Sequence, residues 1–203
     1  MMDGHFVGNI GIPLAYARQL AREQSIPLEA HLMVTDPLDW LPELFDIGVR
    51  QITVHYEIQK DVYEIVRMIK NRDLRAGIAL RPYTPIDFLE PFMGLIDSIL
   101  LMAYTPGSHN QEAFPGFEAR IQNAANLARK HNAGDLDIAI DGNVNEENIG
   151  LYSSYGANFF ILGTSGLFLN RGRLDRQLDR IRRQLSESSK GTRTEDFVAR
   201  VIA

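Results

Sequence analysis

Two short stretches carry side chains able to do chemistry: AHLMV, from Ala30 to Val34, and IDGNVNEENIG, from Ile140 to Gly150. Each puts a metal-capable group at the end of an apolar strand pattern, His31 in the first and Asp141 in the second. A parallel barrel builds its active site from the C-terminal ends of its strands, so the two groups are expected in one mouth. A neutral imidazole and a carboxylate suit a shared divalent cation. Two ligands alone make a poor site, so other groups must complete it. Each residue also has a plainer reading. A lone histidine on a strand serves as a hydrogen-bonded core residue more often than as a ligand. An Asp before Gly142 can form a turn or cap a helix, with Asn145 competing for the cap.

Other groups fall at the same level. Gly163-Thr164-Ser165-Gly166 follows the last strand pattern. Its backbone N–H groups and two hydroxyls suit a phosphate, and a tight turn between strand and helix is the alternative. Gly142-Asn143 would face the same mouth. The polar loop Pro106–Gln111, with Gly107, Ser108, His109 and Asn110, has the length and composition of a lid. His109 on it is either catalytic or a solvated loop residue. His55 ends its strand level with His31 and is a weaker site candidate, while His5 and His131 look structural or solvent-exposed.

The elements that must position these groups repeat one pattern. Pro13 opens a helix with Leu14, Ala17, Leu20 and Ala21 on one face. Pro27–Val34 reads as a strand. Leu28, Ala30, Leu32 and Val34 should face helices, and Glu29, His31 and Met33 should face the barrel interior. Asp36-Pro37 starts a helix through about Ile47, and Gly48 stops it. Further strands are expected at Gln51–His55, Ala76–Leu80, Ser98–Tyr104, Asp137–Asp141 and Phe159–Leu162. Helices are expected at Val62–Ile69, Ile86–Met93 (broken by Pro91), Phe117–His131, Glu146–Tyr155 and Leu174–Leu185. Alternation at this spacing means right-handed βαβ units and a parallel sheet buried on both faces. The count is six full strands, two short of a closed (β/α)8 barrel. The expected organisation is a barrel domain over 1–185 and a C-terminal extension over 186–203, polar at first and weakly helical from Glu195.

Composition narrows the function. The chain has 203 residues, 45% hydrophobic and 23% charged, which is ordinary for one α/β barrel domain. A net charge of -5 argues against nucleic acid or an anionic membrane as the main partner. The absence of cysteine excludes disulfides and thiolate metal sites and suits the cytoplasm. The apolar runs are too short for a membrane span, and no charged-then-apolar leader opens the chain.

Six segments together resemble the ribulose-phosphate 3-epimerase family, including relatives that act on allulose 6-phosphate. They are MDGHFVGNI (Met2–Ile10), HLMVTDP (His31–Pro37), TVHYE (Thr53–Glu57), LLMAYTPG (Leu100–Gly107), IDGNVNEENI (Ile140–Ile149) and LGTSGLF (Leu162–Phe168). HLMV and DGNVNEENI are the specific ones, and HLMVT with GTSGLF leans toward the allulose-6-phosphate branch. The resemblance implies a (β/α)8 TIM barrel of the ribulose-phosphate-binding type. Such enzymes invert a ketose phosphate at C3 through an enediolate, using two aspartates on opposite faces and a divalent metal (Zn, Fe, Mn, Co or Mg). By position, His31 and Asp141 match metal ligands, and Asp141 also matches one acid/base. His31 would thereby touch the substrate too. Met33 and Met102 match apolar residues beside the reacting carbons. Gly142, Asn143, Gly163 and Thr164 match substrate and phosphate loops. Gly107, Ser108, His109 and Asn110 stand where the family has a glycine-rich loop. The implied partner is a small phosphorylated ketose, in a cytoplasmic homo-oligomer.

Three departures stand out. The family's remaining ligands, a His and an Asp spaced His-any-Asp, precede the MDGHF segment, and here that position falls ahead of Met1, as does the first strand. The glycine-rich loop is Gly107-Ser108-His109-Asn110. The family's usual Asn-Pro is Arg81-Pro82, and Asn143 stands where a Gly is usual. The expectation is therefore a sugar-phosphate 3-epimerase holding half of its site. The alternative is a non-catalytic relative binding a phosphorylated ligand or a protein partner. A phosphate-binding barrel isomerase of another pathway is a third reading, resting on fold analogy.

Overall fold

In the computed structural model, the described residues are 1–23, 26–108, 111–168 and 174–188. Six strands form one parallel sheet in chain order: β1 Glu29–Leu32, β2 Gln51–His55, β3 Arg75–Leu80, β4 Ser98–Met102, β5 Asp137–Asp141 and β6 Phe159–Ile161. All five neighbouring pairs are parallel, and β1 is not paired with β6. The helices are α1 Leu14–Glu23, α2 Leu41–Ile47, α3 Val62–Lys70, α4 Phe117–Lys130, α5 Ile149–Ser154 and α6 Leu174–Ser188, with a 3-10 segment at Ile86–Phe92.

Alternation along the strands sorts residues into two clusters. Leu32, Ile52, Val54, Ile78, Leu80, Ile99, Leu101, Ile138, Ile140 and Phe160 pack against the helices. Ala79, Leu100, Met102, Ala139 and Phe159 form a smaller cluster on the inner face, with Met33 and Ile161 against it. The inner face of β2 is polar instead: Gln51, Thr53 and His55 are all buried. Gly77 on β3 faces Thr53, and a Cβ there would collide with the Thr53 hydroxyl. At the N-terminal ends of the strands, Arg75 pairs with Asp137, and Asp97 receives Lys70 at 2.7 Å and the Ala76 N–H at 2.8 Å. These ties sit opposite the mouth, at the end where barrels keep stabilising groups.

Local chemistry accounts for the ends of several elements. Asp61 caps α3 by accepting the Glu64 N–H. Gly48 ends α2 in the left-handed region at φ 76°, which only glycine adopts without strain. Three expectations are corrected. The helix from Asp36 is split, with a 3-10 turn at Pro37–Asp39 ahead of α2. The Asp36 carboxylate accepts the Leu38 N–H there, which favours a turn. The helix expected from Glu146 starts only at Ile149, because Asn145 and Asn148 use their side chains on an Asx turn. The segment before Ile10, expected to be displaced or packed against another subunit, is not displaced within this chain. Met2 bridges Met33 in parallel, and the Met33 N–H donates to the Met1 carbonyl at 2.9 Å. Asp3 staples it there, accepting the His5 and Phe6 N–H groups at 2.8 Å and the Thr35 N–H at 2.6 Å. The tail from 189 to 203, including the helix expected from Glu195, lies outside the described residues.

Candidate active site at the strand ends

The open inner face of the sheet holds a cavity of about 480 Å³, lined among others by His31, Thr53, Leu100, Ala139, Asp141 and Gly163. β1 and β5 end at the same level, and His31 Nδ1 lies 3.4 Å from Asp141 Oδ2. Both side chains are partly exposed, at 17% and 23%. The plainer reading of Asp141 as a turn former does not hold. Among the described residues, the side chains that shape its loop are Asn145 and Asn148, which bond to N–H groups within the loop and to the Asn143 carbonyl. The Asp141 carboxylate is left facing the cavity.

His31 is not alone. Its Nε2 lies 3.0 Å from Nε2 of His55, and the rings stack with centroids 5.1 Å apart. His55 is fully buried, and its Nδ1 meets Glu57 Oε2 at 3.1 Å. Glu57 Oε1 accepts the Arg81 N–H at 2.7 Å and the Thr84 hydroxyl. Burial pushes His55 down to about 4, against the opposing pull of Glu57, so it is neutral near pH 7. Phe6 packs on the His55 ring at 4.8 Å, and the Arg81 guanidinium lies 4.3 Å from the Phe6 ring centroid. The continuous chain Asp141–His31–His55–Glu57 joins the ends of three strands.

The two glycine loops also meet. Gly142 has φ +106°, and a Cβ there would sit 2.8 Å from the Tyr104 ring. Asn143 is left-handed at φ 54°. Burial, with the Asp141 charge nearby, pushes the Tyr104 phenol up. In the following turn the Gly163 carbonyl accepts the N–H groups of Gly166, Leu167 and Phe168. A Cβ on Gly166 would sit 2.5 Å from the Val144 carbonyl, so this turn packs on the Gly142 loop. Gly163 and Thr164 are exposed at the rim. Met102 belongs to the inner-face cluster and Met33 packs against it, on the face that the alternation of β1 gives Met33. Gly107, in the left-handed region, lies against Val7, and its carbonyl accepts the Asn9 side-chain amide. With Ser108 it lines a second cavity of about 360 Å³ that includes Phe6, Asn9 and Arg81. His109 and Asn110 lie outside the described residues.

The donor set can be tested against a divalent cation. Metal–nitrogen and metal–oxygen bonds of about 2.0–2.2 Å place two tetrahedral ligands about 3.3–3.5 Å apart. The 3.4 Å between His31 Nδ1 and Asp141 Oδ2 matches that edge. It is long for a charge-assisted hydrogen bond, which runs at about 2.7–2.9 Å. The pair therefore fits two positions around a cation. Among the described residues, no group of three His, Cys, Asp or Glu could hold a metal ion.

Sequence reasoning ranked His55 low and missed Glu57, Thr84 and Tyr104. The signal was present in TVHYE, where His and Glu two residues apart at a strand end point the same way. No helix among the described residues is long and apolar enough to cross a membrane.

Comparison with known proteins places the chain by fold and by sequence. Solved structures share the fold at low identity. The tryptophan synthase α-subunit of Pyrococcus furiosus matches with a TM-score of 0.60 at 16% identity, over 86% of this chain and 72% of that one. Phosphoribosyl anthranilate isomerase of Thermococcus kodakaraensis matches with a TM-score of 0.59 at 16% identity, over 89% and 82%. Both are TIM-barrel enzymes, and the six strands here curl as part of such a barrel. The ribulose-phosphate 3-epimerase of Bacillus subtilis is 31% identical, over 81% of this chain and 76% of that protein. That of Eremothecium gossypii is 34% identical, over 81% and 72%. The model of the ribulose-phosphate 3 epimerase family matches residues 1–168. With His31 and Asp141 face to face at the mouth of its sheet, the chain belongs to the ribulose-phosphate 3-epimerase family, a family of isomerases.

Proposed function

We propose that the chain acts on a small phosphorylated ketose and moves a proton at C3. The substrate pair is ribulose 5-phosphate and xylulose 5-phosphate, or allulose 6-phosphate and fructose 6-phosphate. The observation that carries this reading is the pairing of His31 and Asp141 at 3.4 Å over the cavity, in a chain of this family. Asp141 is the group that takes or returns the C3 proton on its face of the sugar. A positioned carboxylate in this role contributes roughly a hundred- to ten-thousand-fold. His31 and Asp141 would hold a divalent cation (Zn, Fe, Mn, Co or Mg), which when bound supplies Lewis-acid polarisation of the neighbouring carbonyl. Met33 and Met102 present an apolar wall to the reacting carbons and exclude water. The rim of Gly142, Asn143, Gly163 and Thr164 receives the phosphate, and Gly107–Asn110 closes over the sugar. We read the protein as a cytoplasmic homo-oligomer.

The second reading, a non-catalytic binder of a phosphorylated ligand, is favoured by one observation. The described residues offer two metal donors and one acid/base, where inversion needs proton transfer on both faces. Solvent deuterium incorporation at C3 separates the two. The chain is incubated in D2O with Mn²⁺ or Zn²⁺ and each sugar phosphate, beside the same chain extended before Met1 by a strand bearing His-any-Asp. Exchange that appears in either form and is lost in Asp141→Asn supports catalysis. Binding of the sugar phosphate without exchange in both forms supports the second reading.

A further inference from the structure

We infer that His55 and Glu57 are positioning residues, which orient the His31 ring and fix its tautomer so that the Nδ1 lone pair points at Asp141. The relay stands on geometry, and its purpose rests on the proposed role of His31 as a ligand. The direction of each hydrogen bond follows from what each partner can do. A carboxylate only accepts, so Glu57 Oε2 fixes the proton of His55 on Nδ1, 3.1 Å away. A proton on His31 Nδ1 would draw Asp141 in to about 2.7–2.9 Å, and the pair stands at 3.4 Å, so between the two rings the acceptor is His55 Nε2. That atom faces His31 Nε2 at 3.0 Å, so the His31 proton lies on Nε2 and is donated to His55. His31 Nδ1 is left without a proton and faces Asp141 Oδ2 at 3.4 Å. A lone pair against a carboxylate repels, unless a cation stands between them. The arrangement is thus set in advance for a positive ligand.

The supports of the relay are as specific as the relay itself. Glu57 is anchored on its other oxygen by the Arg81 N–H and the Thr84 hydroxyl, from the loop that follows β3. His55 has no exposed surface and is wedged beneath Phe6. Its ring cannot turn without breaking both bonds. An outer partner of this kind restricts ring rotation and raises the basicity of the nitrogen that binds. It also explains why a fully buried histidine ends a β-strand whose neighbours Val54 and Ile52 are apolar.

The test reads the proton directly. Two-bond ¹H–¹⁵N correlation spectra of the 203-residue chain at pH 7.5 should show His31 as a single Nε2–H tautomer and His55 as a single Nδ1–H tautomer. Glu57→Gln should turn the His31 pattern into a mixture of tautomers. Thr84→Val, which removes one anchor of Glu57 and leaves every charge in place, should move it less and in the same direction. General loosening of the fold would not select one ring, and far-UV circular dichroism checks that each variant is folded. A His31 protonated on Nδ1 in the parent, or tautomers unchanged in both folded variants, would overturn the relay. Calorimetric titration with Zn²⁺ alone tests its purpose separately. A Kd weakened about 10- to 100-fold in Glu57→Gln supports it. No Zn²⁺ binding by the parent or by the chain extended before Met1 with a His-any-Asp strand would remove His31 as a ligand and leave the tautomer result to decide the relay.

Discussion

The two faces of the same sheet differ in how they are closed. The outer face, under α3, α4 and the 3-10 segment, is packed to zero exposure at Ile78, Leu80, Ile99 and Leu101. The inner face carries a small apolar cluster and a polar column on β2, and opens between β1 and β6 into a cavity of about 480 Å³. Both faces come from the same strands, residue by alternate residue. The comparison separates work along the fold: burial on the outer face supplies stability, while the inner face trades packing for a space where His31 and Asp141 can be reached.

The sharpest way to break this division is Asp141→Asn. It should cut C3 deuterium exchange by roughly a hundred- to ten-thousand-fold in whichever form exchanges, and leave the urea midpoint nearly unchanged. A large stability loss would put Asp141 among the structural residues. Leu101→Ala should do the opposite. This fully buried outer-face residue should cost about 2–5 kcal/mol in urea unfolding, whereas Ile161→Ala, on the edge strand beside the cavity, should cost less than half as much. Equal costs would mean that the inner face is as tightly packed as the outer.

The glycines at the rim sharpen the comparison further. Gly142→Ala places a Cβ against Tyr104 at a φ of +106°, so about 1–3 kcal/mol of stability should go with substrate affinity. Gly163→Ala has nothing within 4 Å of the new Cβ and should stay within about 0.5 kcal/mol. Any loss of sugar-phosphate binding there reports contact with the ligand rather than strain. The smallest effect concerns the stapled N-terminal segment. Asp3 is held to about 2 from 3.8, because the N–H groups of Thr35, His5 and Phe6 outweigh a burial contribution that acts the other way. A carboxyl depressed in the folded state stabilises above its unfolded value and loses that contribution as pH falls through the folded one. Stability should therefore drop between pH 3.8 and about 2, and Asp3→Asn should flatten that limb of the acid-unfolding curve.

Much was legible in the residues alone. The alternation of Ala30, Leu32 and Val34 with His31 and Met33 separated the two faces, because a strand's side chains must alternate. Asp141 before Gly142, after an apolar run, marked a strand end. The Val62–Ile65–Val66–Ile69 stripe located α3, since its period is that of one helix face. Local rules failed where side chains compete with the backbone for hydrogen bonds. Asp36 and Asn145 turned expected helix starts into turns in that way.

What the sequence by itself determined is the set of six strands, the inward and outward faces of β1, and the placing of His31, His55 and Asp141 at strand ends, which follow from periodicity and from where each apolar run stops. Only the tertiary structure decided which of these side chains touch. The parallel register sets Ala30 beside Ile52 and His31 beside Thr53, and the curl of the sheet brings β5 toward β1 across the cavity. Those long-range placements put His31 between Asp141 and His55, and hang Glu57 from Arg81 and Thr84. The physical reason is range. Periodicity is set by neighbours along the chain, whereas a 3 Å contact between strand ends depends on register, twist and rotamer together.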